Sequence, residues 1–214
     1  MVVWSSGLYV ISAENLHPHR SLLSVMEAAL KGGATAIQLR DKGSDKKGLI
    51  EKGRALQQLA CRYRVPFIMN DHLDVALAID ADGVHVGQGD FPLMEARKVL
   101  GKDKIIGIST HTKEEAIEAE QQGADYIGVG PVFATSSKDD TEKEIGVGGL
   151  KGIIGHVSIP TVAIGGVKLS NAEKVAATGV SGLAVISEVV TSDHIEDTCR
   201  RFTKILTETR EKDV

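Results

Sequence analysis

Arg40, Lys42, Asn70, Asp71, Asp90 and Lys138 are the residues whose types and spacing most directly suggest shared chemistry. Arg40 and Lys42 stand on either side of Asp41, and Lys138 lies far along the chain in a polar stretch. Three cations suit a polyanion such as a diphosphate, because a guanidinium grips phosphate oxygens with a fork while an ammonium acts as a point charge. Asp71 directly follows Asn70, and Asp90 ends the run Gly87-Gln88-Gly89-Asp90. Mg2+ takes one or two carboxylates and completes its shell with water and phosphate oxygens. The two sets together describe a metal-bridged diphosphate site, where the metal would stabilise charge on a leaving group. A second anion site is legible in Gly165-Gly166 and Ile186-Ser187. Glycines there let backbone N–H groups approach a phosphate.

Taken singly, each residue has a plainer reading. Asp71, Asp90 and Ser109 could cap the helices that follow them. Arg40, Asp41 and Lys42 could form a solvated rim, and Lys138 an ordinary loop lysine. His85 reads as a packed, hydrogen-bonded histidine, while His72 and His111 show no carboxylate–nucleophile pairing. Convergence of many such residues on one place would decide the matter, and that depends on the elements that carry them.

Short apolar runs recur at 8–11, 36–39, 66–69, 83–86, 105–108, 126–129, 161–164 and 182–186. They are rich in Val and Ile and mostly apolar on both faces, as parallel strands covered on both sides are. Amphipathic stretches separate them at 22–30, 47–63, 93–100, 114–121, 171–177 and 195–207. Thr112-x-x-Glu115 and Ser170-x-x-Glu173 have the form of a capping box, and Pro92 suits a first helical turn. Gly32-Gly33, Gly123 and Gly179 stand where left-handed helix ends need glycine. Eight strands alternating with helices predict a single (β/α)8 TIM barrel of the α/β class, one domain across 1–214. The alternative, an open doubly wound sheet with nucleotide binding at a switch point, lacks its usual glycine-rich fingerprint, since 8–11 leads into Ser12-Ala13-Glu14-Asn15. A barrel carries its active site at the C-terminal ends of its strands, where all the residues above would meet. The stretch 133–147, polar and glycine-ended, reads as a functional loop.

The 214 residues are ample for one domain with a sizeable core, and with 4% aromatics that core is expected to be aliphatic. A formal charge of -4 argues against a nucleic-acid-binding surface. No segment approaches the ~18–20 apolar residues of a membrane span, and nothing resembles a signal peptide. A cytoplasmic protein without membrane or nucleic-acid partners is therefore expected, with homo-oligomerisation left open. Cys61 and Cys199 lie far apart without metal-type spacing and read as two buried free thiols.

The segments Gly33-Ala34-Thr35-Ala36-Ile37-Gln38-Leu39-Arg40-Asp41-Lys42, Ile68-Met69-Asn70-Asp71 and Gly83-Val84-His85-Val86-Gly87-Gln88-x-Asp90 resemble the thiamine-phosphate synthase family. Gly107-Ile108-Ser109-Thr110-His111-Thr112, Tyr126-Ile127-Gly128-Val129-Gly130-Pro131-Val132-Phe133-x-Thr135 and Ala163-Ile164-Gly165-Gly166 extend the likeness to nearly the whole chain. The resemblance implies a transferase of thiamine biosynthesis with small-molecule substrates. It would couple hydroxymethylpyrimidine diphosphate to carboxythiazole phosphate, through Mg2+-assisted diphosphate departure and a pyrimidine carbocation. By position, Gln38, Arg40, Lys42, Asn70, Ser109 and Lys138 would hold the pyrimidine diphosphate, with Leu39 and Asp41 in the same binding segment. Arg40, Lys42, Ser109 and Lys138 would form the catalytic set, and Asp71 and Asp90 would hold Mg2+. Thr135, Ser136, Ser137, Gly166, Ile186 and Ser187 would hold the thiazole phosphate.

Two departures from the family pattern stand out. Gly89 replaces an acidic residue before Asp90, and Glu188 puts a negative charge beside Ser187. The related thiazole tautomerases carry a histidine after the sixth strand, where this chain has Gly130-Pro131. A non-catalytic barrel that senses thiamine phosphates would bind without turnover. A sugar-phosphate isomerase would need neither the paired carboxylates nor three cations.

Overall fold

The computed structural model describes residues 7–135 and 143–212. Eight parallel strands close into a barrel in chain order. They are β1 (Gly7–Ile11), β2 (Ala36–Leu39), β3 (Phe67–Asn70) and β4 (Gly83–Val86), then β5 (Ile105–Thr110), β6 (Tyr126–Val129), β7 (Thr161–Ala163) and β8 (Gly182–Val185). β8 returns to β1 with Leu8 beside Leu183 and Tyr9 beside Ala184. The helices between them are α1 (Leu22–Lys31), α2 (Lys46–Tyr63), α3 (Leu73–Ile79), α4 (Leu93–Leu100) and α5 (Lys113–Gln121). After β6 come α6 (Gly146–Ile154), α7 (Ala172–Ala176), the single-turn α8 (Ser187–Val190) and α9 (Ile195–Lys212).

Local chemistry explains several boundaries. The capping box at Thr112 and Glu115 is formed, with each residue satisfying a backbone N–H near the start of α5. Gly33, Gly123 and Gly179 take φ of +96°, +85° and +91° just past helix ends. Pro92 sits one position earlier than expected, as the N-cap of α4. The second expected box does not form. Asn171 rather than Ser170 precedes α7, and its side chain accepts from Lys168 N–H. α3 and α6 have no counterpart among the amphipathic stretches; four glycines in α6 hide its periodicity, and tertiary packing of Leu150 and Ile153 sustains it.

The core has two layers of different character. Outward-facing strand residues such as Leu8, Val10, Ile37, Leu39, Val84, Ile106 and Ile127 are buried and aliphatic. Each such side chain, when fully buried, contributes roughly 1.5–3 kcal/mol. The barrel interior departs from the aliphatic expectation. Small residues such as Gly83, Gly107, Gly128 and Gly182 alternate there with Tyr9, Gln38, His85, Ser109 and Tyr126, which are buried and bond to one another. Cys199 is buried and its thiol is pushed up to about 12 by desolvation, whereas Cys61 is exposed, contrary to the expected pair of buried thiols. No helix among the described residues is long and apolar enough to cross a membrane.

Candidate active site at the carboxyl ends of the strands

Barrel closure brings the strand-end residues to one rim, where they line two adjoining cavities. The first, of about 360 Å3, is walled by Arg40 and Lys42 after β2, Asn70 and Asp71 at β3, and Gln88, Gly89 and Asp90 after β4. The second, of about 350 Å3, is lined by Gly128, Gly130, Pro131, Ala134 and Thr135 around β6 and by Ile164 and Gly165 after β7. Ser109 and His111 at the end of β5 line both. A smaller recess of about 30 Å3 joins Thr135, Gly165, Gly166, Ile186 and Ser187. Gly166 has φ +62°, and a Cβ there would lie 2.7 Å from the Ala134 carbonyl oxygen, so the backbone itself forms the wall.

Asp71 and Asp90 face one another closely enough to share a hydrogen bond. Burial, followed by that bond and the Asp90 charge, pushes the Asp71 carboxyl from 3.8 up to about 6, against the pull of Lys42 and Arg40. The backbone is arranged for this meeting. Asp71 has φ +60° and its N–H donates to the His85 carbonyl at 2.8 Å. Asp90 Oδ2 accepts from Gly87 N–H at 2.7 Å, which ties the turn together. Nothing lies within 4 Å of a Cβ built at Gly89, so an acidic side chain there would point into open space and its absence leaves the turn intact. Neither aspartate caps a helix: His72 and Pro92 are the N-caps of α3 and α4.

The basic side has its own support. Ser12 Oγ accepts from Arg40 N–H at 3.0 Å and donates to its carbonyl at 3.3 Å, fixing the chain where it leaves β2. Asp41 is engaged by its own loop. It accepts from Gly43 N–H, Ser44 N–H, Ser44 Oγ and Lys52 Nζ, the last at 2.6 Å. Although burial works against it, these bonds, led by Lys52, hold the Asp41 carboxyl well below the usual range. Lys52 also bonds Glu14 after β1, so one ammonium clips two rim loops together. Burial disfavours the Lys52 charge, but Asp41 and Glu14 more than offset it and raise its pKa.

Comparisons with known proteins bear on the family and the fold. A family model described as thiamine monophosphate synthase matches residues 8–189. The chain belongs to that family. A thiamine-phosphate synthase of Halalkalibacterium halodurans is 54% identical, over 93% of this chain and 94% of the relative. One from Shouchella clausii is 53% identical, over 88% and 90%. Among solved structures, thiamine phosphate pyrophosphorylase from Pyrococcus furiosus superposes with a TM-score of 0.87 at 42% identity, covering 95% of this chain and 96% of that one.

Of the positions that the thiamine monophosphate synthase resemblance nominates, Arg40, Lys42, Asn70, Asp71, Asp90 and Ser109 meet at the first cavity. Thr135, Gly166, Ile186 and Ser187 meet at the small recess. Gln38 is buried within the barrel and its amide donates to Tyr9 Oη at 2.7 Å. The Leu39 side chain is in the outer core, so only its backbone is near the rim. Ser136, Ser137 and Lys138 lie outside the described residues. Glu188 turns toward the β7–α7 loop, where Oε1 accepts from Leu169 N–H at 3.2 Å. His72 is engaged at the rim by Lys46, which also bonds Asp74; burial and the Lys46 charge lower its pKa. Sequence reasoning gave no role to His111 or Gln88. His111 Nδ1 lies 2.6 Å from the Gly130 carbonyl oxygen and so donates to it, leaving Nε2 as the remaining ring nitrogen. Gln88 donates to the Ser109 carbonyl at 2.7 Å. Its sequence signal was its place in the Gly87-Gln88-x-Asp90 segment, two residues before Asp90.

Proposed function

We propose that this chain is a transferase that joins hydroxymethylpyrimidine diphosphate to carboxythiazole phosphate, releasing pyrophosphate and forming thiamine phosphate. Its family membership and close relatives named thiamine-phosphate synthase support the overall activity. The observation that carries the mechanistic reading is the adjacency of two unlike cavities that share Ser109 and His111. One has cations and paired carboxylates for a diphosphate. The other opens toward a glycine-walled recess suited to a phosphate ester. The shared edge is where the methylene carbon would pass from one to the other.

At that edge the pyrimidine C–O bond breaks and its electron pair leaves with the diphosphate. The thiazole nitrogen then gives its lone pair to the methylene carbon, forming the new C–N bond; the thiazole carboxylate departs as carbon dioxide, and the ring carbon left with the electron pair takes up a proton from water. Arg40 and Lys42, on the wall of the first cavity, lower the energy of the developing negative charge. Asn70 and Ser109 orient the diphosphate-bearing substrate so that the two reacting atoms approach in line. Lys138, between β6 and α6 in sequence, would add a third cation.

The donor set fits Mg2+. The two crowded carboxylates offer hard oxygen ligands, and the rise of Asp71 to about 6 marks charge that a cation would relieve. Among the described residues no cluster of three or more His, Cys, Asp or Glu side chains offers a complete metal cage. That agrees with an ion that keeps waters and substrate phosphate oxygens. Asp71 and Asp90 would hold it, and when bound it would supply Lewis-acid stabilisation of the leaving diphosphate. We place the protein in the cytoplasm, where phosphorylated substrates of this kind are found.

Incubation of the purified protein with both substrates and Mg2+ should yield equal amounts of thiamine phosphate and pyrophosphate, with loss of turnover in EDTA. Absence of product at saturating substrate would reject the reading. Release of pyrophosphate at an undiminished rate in EDTA would reject the metal assignment alone.

A further inference from the structure

Beneath Ser109, a row of polar side chains crosses the barrel interior. Gln38 Nε2 donates to Tyr9 Oη at 2.7 Å, and the Tyr9 and Tyr126 hydroxyls lie 3.0 Å apart. Tyr126 Oη lies 2.9 Å from His85 Nδ1, and His85 Nε2 lies 3.0 Å from Ser109 Oγ. Four strands contribute to this row, β1, β2, β4 and β6, before it reaches Ser109 on β5.

The barrel makes specific room for it. A Cβ at Gly107 would lie 2.1 Å from Tyr126 Cζ and 2.5 Å from its hydroxyl. A Cβ at Gly128 would lie 3.3 Å from His85 Cε1. Two interior positions thus lack side chains where the Tyr126 and His85 rings pass. Aliphatic residues could have filled that volume without the desolvation of two phenols and an imidazole. Burial raises the pKa of both phenols, so their protons stay in place as donors.

We propose that His85 and Tyr126 are positioning residues that act through Ser109, forming a one-way hydrogen-bond chain that turns the Ser109 proton toward the edge shared by the two cavities. In the proposed direction, Tyr9 oxygen accepts from the Gln38 amide and donates its own O–H to Tyr126 oxygen. Tyr126 donates to His85 Nδ1, and the neutral imidazole carries its proton on Nε2 and donates to Ser109 oxygen. Ser109 then has its own O–H left for an acceptor in the cavity. No proton is transferred along the row; each bond only orders the next. This rests on the function proposed above, in which the acceptor is an oxygen of the departing diphosphate. A hydroxyl already aimed at growing negative charge contributes more to the transition state than one that must turn.

Nitrogen NMR of the imidazoles tests the direction without any activity. In protein with 15N-labelled histidine, His85 is identified among the seven histidines by the signal that His85→Gln removes. Expected is a ring protonated on Nε2 with a bare Nδ1 accepting from Tyr126. A ring protonated on Nδ1, or on both nitrogens, overturns the proposal. Kinetics test the consequence. Tyr126→Phe should lower kcat roughly tenfold, a fraction of what a whole transition-state donor contributes, with KM changed less than twofold. His85→Gln keeps an amide donor for Ser109 and should retain more activity than His85→Leu. In a Ser109→Ala background, Tyr126→Phe should have no further effect on the residual rate. An equal loss in both backgrounds would show a merely structural role and overturn the proposal. If wild-type protein makes no thiamine phosphate, the functional reading fails, while the imidazole spectrum still decides whether the chain exists.

Discussion

Replacing Asp71 with Asn should make the metal-free protein more stable while abolishing most of its turnover. Asn is the right probe because Asp71 has φ +60°, a region that Asn adopts far more readily than Ala, so backbone strain is not added. Its amide keeps the carboxylate's shape and removes only the charge that Asp90 opposes. The rise of the Asp71 carboxyl from 3.8 to about 6 would correspond to ~3 kcal/mol if none of it were screened. Asp71 is only half-buried, and solvent screening reduces the expected effect to about 1 kcal/mol. The sign follows from proton uptake. The folded state holds the proton more tightly than the unfolded state, so stability from this group is complete below about 4. It is lost as pH rises through about 6. The amide in the Asp71→Asn variant titrates nothing, so variant and wild type should differ little at pH 4. At pH 8 in EDTA the variant should be more stable by about 1 kcal/mol, or ~2–4 °C in Tm. Mg2+ should raise the Tm of wild type at pH 8 and leave the variant nearly unchanged. Turnover should fall at least ~100-fold, as expected when a developing charge loses its principal stabiliser. Calorimetry at the two pH values, with EDTA or Mg2+, reads the stability changes, and a steady-state assay with both substrates reads the turnover. A variant less stable than wild type at pH 8, or equally stabilised at both pH values, would refute the crowded-carboxylate argument.

Three other perturbations test separate parts of the structure. Lys52→Met leaves Asp41 and Glu14 without their shared cation; Asp41 has only 12% of its side chain exposed, so urea unfolding at pH 7 should show a loss of about 1–2 kcal/mol. The loosened Arg40–Lys42 loop should also raise KM for the pyrimidine diphosphate. Gly107→Ala drives a methyl into the Tyr126 ring and should destabilise by about 1–3 kcal/mol, with a fall in kcat that thermal denaturation and steady-state assays measure together. A thiol reagent applied to the folded protein should label Cys61 rapidly and leave Cys199 unreacted until urea is added, as peptide mapping of the labelled chain would show.

The strand runs and the residues at their ends were legible because a covered parallel strand leaves a short apolar signature in sequence, and closed barrels put strand ends on one rim. Strand boundaries shifted by only a residue or two, as at β3, which ends at Asn70 rather than Met69. α6 was not legible, since its glycines give no helical signal and only packing against the barrel holds it. Sequence alone was enough for the barrel and for bringing the two aspartates and the paired cations to one rim, where they line the first cavity. It could not show that Asp41 is tied to Lys52 while Asp71 is pressed against Asp90, because those bonds depend on side-chain directions across different loops. Nor could it show that His85, expected to be a packed histidine, joins Tyr126 to Ser109. Those residues lie on separate strands, and only barrel closure, with glycine at 107 and 128, brings their polar atoms within hydrogen-bonding distance.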